Sequence, residues 1–76
     1  MEIKELHQKL SDCLNTVRLG AAGRLLYYDE DINTFVLCVH TTDPEKTHKA
    51  TQLAWDSIPD SLRAELKDIG FAGRQI

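Results

Sequence analysis

Arg24-Leu-Leu-Tyr-Tyr-Asp-Glu-Asp-Ile-Asn-Thr-Phe-Val-Leu-Cys-Val-His40 is the stretch on which the fold turns. Its two runs, Arg24–Tyr28 and Thr34–His40, are rich in β-branched and aromatic residues, which suit a pleated, half-buried backbone. Asp29-Glu-Asp-Ile-Asn33 between them is polar and turn-forming, so the stretch predicts an antiparallel β-hairpin over about 24–40. Loop parity then decides the faces, because strand side chains alternate with period two. A loop of three or five residues puts Leu25 and Tyr27 on one side with Phe35, Leu37 and Val39, whereas an even loop puts Leu26 and Tyr28 there. We take the odd loop, which leaves Arg24, Leu26, Tyr28, Val36, Cys38 and His40 together on the other side.

Outward from the hairpin, the preceding segment carries Ile3, Leu6, Leu10, Cys13, Leu14 and Val17 in steps of three and four, one stripe of a helix. The spacing predicts a helix over about 2–19, closed by Gly20 and joined to the hairpin by Ala21, Ala22 and Gly23. On the other side, Thr42-Asp-Pro-Glu45 is a helix start, with a capping Thr or Asp and Pro44 in the first turn. A helix over about 43–58 follows, with Ala50, Leu53, Ala54 and Ile58 inward and Trp55 packing at the core margin. Pro59 ends it, and a third helix over about 60–69 turns Leu62, Leu66 and Ile69 inward and stops at Gly70, where Phe71 can close on Leu66. Residues 71–76 read as a frayed tail or a short strand. The expected fold is a single α+β domain over residues 1–76, ordered α-β-β-α-α, an antiparallel hairpin packed on helices.

The composition agrees with a small globular domain: 76 residues, 42% hydrophobic and 28% charged. Nine Lys and Arg against twelve Asp and Glu give a net charge of −3, the wrong sign for a protein held to nucleic acid by phosphate neutralisation. Thr34–Val39, the longest uncharged apolar run, is far short of a membrane span, and the acidic Met-Glu-Ile-Lys-Glu start does not resemble a signal peptide, so a cytoplasmic location and no membrane partner are expected. Cys13 and Cys38 are too few for a disulfide framework and are expected reduced.

Three groups of residues invite a chemical reading. Cys38, His40 and His48 have donor atoms that suit a metal or an activated thiol. Structural zinc sites use four ligands at tighter paired spacing, and no oxyanion device, phosphate loop or helical His-Glu motif accompanies the thiol. No metal, no cofactor and no enzymatic activity are therefore expected. Asp29, Glu30 and Asp31 lack the glycine of a calcium loop but suit docking against a basic protein surface. Arg24, Tyr27, Tyr28 and Phe35, with Lys46 and Lys49 nearby, suggest a stacking platform for single-stranded nucleic acid, which the acidic charge disfavours. His7 reads as a boundary residue.

An isolated hairpin is marginal in water and exposes two unpaired edges. The expectation is thus a small acidic module that binds another protein, through Leu26, Tyr28, Asp29, Glu30, Asp31 and Val36, and that forms a homodimer through the hairpin edge. Inhibitor, adaptor or regulatory subunit are the roles that suit such a chain. One concrete form is a phage- or mobile-element-borne inhibitor of a nucleic-acid-handling complex. A single-stranded nucleic-acid-binding domain is the alternative.

Overall fold

The apolar stripe of the first segment makes α1 (Ile3–Leu14), with Leu6, Leu10 and Leu14 all buried. Residues 2–17 and 24–75 are described by the structure, a computed structural model. Gly20, Ala21, Ala22 and Gly23, expected to close and connect the helix, lie outside the described residues. Regular helix stops earlier than the expected Leu19, at a turn over Asn15 and Thr16. There the Thr16 hydroxyl donates to the Cys13 carbonyl at 3.0 Å, a short-range alternative to the helical ladder.

Two strands follow, β1 (Arg24–Asp29) and β2 (Thr34–Val39), paired antiparallel as the hairpin signal predicts. The chain then forms α2 (Pro44–Ser57), α3 (Asp60–Glu65) and a third strand, β3 (Gly70–Gln75). Asp43 caps α2 by accepting the Glu45 backbone N–H at 3.0 Å, and Pro44 occupies the first turn. Ile58, before Pro59, adopts extended backbone with ψ 126° and ends the helix. Helix α3 is shorter than the expected 60–69 because Leu66 leaves helical geometry at φ −90°, ψ 14°. Leu62 and Leu66 are nevertheless buried.

The C-terminal segment corrects the expected sheet. β3 lies parallel to β2, so the molecule is a small α+β domain with a three-stranded mixed sheet, order β1-β2-β3, and three helices. A parallel neighbour requires a crossover, and α2 with α3 supplies it. The loop is corrected too. Asp29 pairs with Thr34, leaving a four-residue connection, Glu30 to Asn33, and the even parity moves Leu26 and Tyr28 onto the side of Phe35, Leu37 and Val39. Asn33 makes this loop possible by taking the left-handed conformation, φ 49°, which Asn tolerates better than most residues. Its carbonyl accepts from Gly70 N–H at 3.0 Å and its side-chain amide donates to the Asp68 carbonyl at 2.8 Å, tying the hairpin to the start of β3.

All helices pack on one side. Leu6, Leu10, Phe35, Ile58, Leu62 and Leu66 form one core cluster, and Leu14, Leu37, Val39, Ala50 and Ala54 a second, with Leu26 and Phe71 touching both. Helix α2 sits unusually close to β3. A Cβ on Gly73 would come within 1.7 Å of Thr51 Oγ1, so glycine is what permits the approach. Trp55 is half-buried at the core margin, 5.6 Å from the Phe71 ring, with the Arg63 guanidinium 5.8 Å over its face. The Cα envelope measures only 16 Å in its shortest direction, room for one layer of helix on one sheet.

Candidate interaction face

The register assigns the outer side of the sheet. Leu25, Tyr27 and Asp29 on β1, Thr34, Val36 and Cys38 on β2, and Gly70, Ala72 and Arg74 on β3 alternate with the core-facing residues. Leu25, Tyr27, Val36, Cys38 and Ala72 belong to neither helix-packed cluster. Among the described residues, no helix covers this side. Leu25 is 61% exposed, as open as Ile32 in the hairpin turn and more so than Leu53 on α2. Val36 and Cys38 are each only 5% exposed despite having no helix above them. Over them Arg74 Nη1 donates to the Tyr27 hydroxyl at 3.3 Å, so two long side chains from β3 and β1 meet across β2. The same hydrogen bond, followed by proximity of the phenol, raises the Arg74 pKa, and the guanidinium stays charged across the whole useful pH range.

The expected contact set is therefore divided by the structure. Val36 lies on the outer face, but Leu26 and Tyr28 lie on the helix side, Leu26 between the two core clusters and Tyr28 5.1 Å from the Phe35 ring. Leu25 and Tyr27 stand where Leu26 and Tyr28 were expected. Glu30 and Asp31 lie in the hairpin turn as expected, whereas Asp29 is the last residue of β1 and its Oδ1 accepts the Asp31 N–H at 3.0 Å. Tyr28 cannot serve a stacking platform from the core side, where its hydroxyl donates to the Asn33 side chain. Lys46 and Lys49 are exposed on α2, away from the face.

Cys38 sits on the outer face, His40 is exposed just beyond β2, and His48 is on α2. Among the described residues no group of three or more His, Cys, Asp or Glu side chains is arranged to hold a metal ion. The other thiol, Cys13, donates to the Ser57 carbonyl at 3.3 Å, tying α1 to the end of α2. A crevice of about 270 Å³ between α2 and β3 is lined by His48, Thr51, Gln52, Trp55 and Phe71. The hydroxyl in that lining, Thr51 Oγ1, donates to the Thr47 carbonyl at 2.8 Å. No described helix is long and apolar enough to cross a membrane.

One role was invisible in the sequence. His7 Nε2 donates to the Leu26 carbonyl at 2.7 Å, and its ring lies 6.4 Å from Phe35. Only the register, which brings Leu26 inward, could have revealed it. Compared with known proteins, the chain matches no family model, no curated protein and no solved structure.

Proposed function

We propose that this chain is a non-catalytic protein-binding module whose docking surface is the helix-free side of its sheet, presented by Leu25 and Tyr27 with the buried Val36 beneath them. The carrying observation is Leu25, 61% exposed at the corner of a face that no described helix covers. Leu25 is the apolar side chain this face leaves in water, and burying it against a partner favours association, since that removes apolar area from water. The acidic tip, Asp29 to Asp31, orients the approach and steers it toward basic surfaces. An inhibitor, adaptor or regulatory subunit, of phage or mobile-element origin among other sources, works by such contact alone, with no cofactor and in the cytoplasm.

A photo-crosslinking amino acid at position 25, compared with one at exposed Gln8 on α1, tests this in cells that make the protein. Protein adducts at position 25 and none at position 8 are expected. Equal labelling at both positions, or none at either, removes the reading.

A second reading has one specific observation in its favour. Tyr27 and Arg74 stand side by side on the open face, a ring and a planar cation of the kind on which single-stranded bases stack. They replace Tyr28 and Arg24 of the sequence-based version. Titration of a fluorescent single-stranded oligonucleotide at low salt checks it, with saturable binding lost in Tyr27→Ala as its signature.

A further inference from the structure

On the outer face Asp29 and Arg74 occupy diagonally opposite corners, with Tyr27, Leu25, Val36, Cys38 and Ala72 between them. We infer that the face binds a second copy of this chain, in a two-fold dimer that sets Asp29 of each copy against Arg74 of its partner. The inference rests on the docking surface proposed above and names its occupant.

Asp29 pairs with Thr34 at one end of β1, and Arg74 pairs with Cys38 toward the other end of β3. These are the face's two charged side chains among the described residues, and they have opposite sign. A two-fold axis lying in the interface, perpendicular to the line joining these corners, exchanges the two positions. With strands about 4.8 Å apart and alternate residues about 6.7 Å apart, that axis crosses the strands obliquely, and the two sheets meet at roughly 70°. This falls near the orthogonal class of sheet packing. The axis also passes over β1 between Leu25 and Tyr27, so the exposed leucine meets its own copy on the axis at the rim of the interface. Over β3 it passes between Gly70 and Ala72, whose small side chains allow close approach.

The charges around the corners extend the match. Glu30 and Asp31 continue the acidic corner beyond Asp29, and Arg74 has no carboxylate within ion-pair distance among the described residues, its own Asp29 acting on it only at longer range. Arg74 spends one N–H on Tyr27, and a guanidinium carries five, so it can keep that bond and still reach a carboxylate. The contact is closed and self-complementary, as two-fold interfaces are, so it stops at two copies. Three strands of six residues cover a footprint of roughly 14 by 20 Å, well under the ~800 Å² per partner of a standard interface, which makes the dimer weak and concentration-dependent.

Sedimentation of the 76-residue chain from ~10 µM to ~1 mM reads the outcome. Wild type should pass from monomer to dimer within that range. Asp29→Arg and Arg74→Asp should each raise the dimer dissociation constant at least roughly tenfold, because each places two like-charge contacts in the interface. The double reversal should return it to within about threefold of wild type. Asp29→Asn retains the acceptor for the Asp31 N–H and so preserves the turn, and it should weaken the dimer less while flattening its salt dependence. A wild type that stays monomeric at ~1 mM overturns the inference, as does a dimer indifferent to both reversals, or a folded double reversal that fails to recover. A monomer that still crosslinks to other proteins through position 25 leaves the binding module standing with a different partner, whereas loss of that crosslink removes the module itself.

Discussion

The carbonyl of Asn33 accepts the Gly70 N–H at 3.0 Å, which ties the four-residue hairpin turn to the first residue of the strand formed after the crossover. Asn33 also holds the Asp68 carbonyl through its side-chain amide and receives the Tyr28 hydroxyl, all from a left-handed backbone. Strand β1 of the hairpin and the distant segment that opens β3 both bond to this one residue. Asn33→Ala should cost about 1–3 kcal/mol in urea unfolding, since it introduces backbone strain and deletes both side-chain bonds. Asn33→Gly keeps the backbone geometry and should be the milder change. Equal stability of Asn33→Ala and wild type would contradict the linkage.

Gly73 tests the approach of α2 to β3. Gly73→Ala drives a methyl toward Thr51 Oγ1 and Cβ and should destabilise by about 1–3 kcal/mol. Thr51→Ala removes the nearer atom but leaves Cβ close, so a double-mutant cycle should show partial rescue, a coupling of about 0.5 kcal/mol or more. Strict additivity in thermal melts would mean that the two residues do not touch.

Loop parity has its own stability signature. Leu37, 1% exposed, should lose about 2–5 kcal/mol on truncation to Ala, while Leu25→Ala should stay within about 0.5 kcal/mol in the monomer. An odd loop would place Leu25 in the core and make both substitutions severe. Denaturant midpoints below the association range distinguish the two.

The cap of α2 supplies a smaller, local effect. Asp43→Ala should cost about 1 kcal/mol, because the Glu45 N–H loses its acceptor, and Asp43→Asn should recover most of it. Equal losses in both variants, measured by thermal unfolding, would argue that charge rather than the hydrogen bond stabilises the helix start.

Where local chemistry is self-sufficient, the fold was legible from the residues. The Leu6, Leu10 and Leu14 stripe needs only helical spacing, and Asp43 with Pro44 needs only capping geometry. For β3 the residues alone leave a strand and a frayed tail equally open, because Gly-Phe-Ala-Gly-Arg-Gln has two glycines and no β-branched residue. Its strand conformation is imposed by the vacant edge of β2 and the nearness of α2, a tertiary override of a weak propensity. The parity error has a similar origin. Asp29 resembles a turn residue by composition, yet it is drawn into β1 opposite Thr34, and one residue of extension exchanges Leu25 with Leu26 and Tyr27 with Tyr28. The proposed contact face inherits that exchange: of the six residues expected there, Leu26 and Tyr28 give way to the neighbouring Leu25 and Tyr27.

The parallel placement of β3 sets an order of assembly. As the chain emerges from a ribosome, the central strand can zip against β1 at once, but its other flank stays bare until both crossover helices and a further strand have been synthesised. Slow elongation through that region would prolong the interval in which Val36 and its neighbours are open to mispairing, and a nascent chain stalled before Gly70 should be the form most prone to chaperone capture.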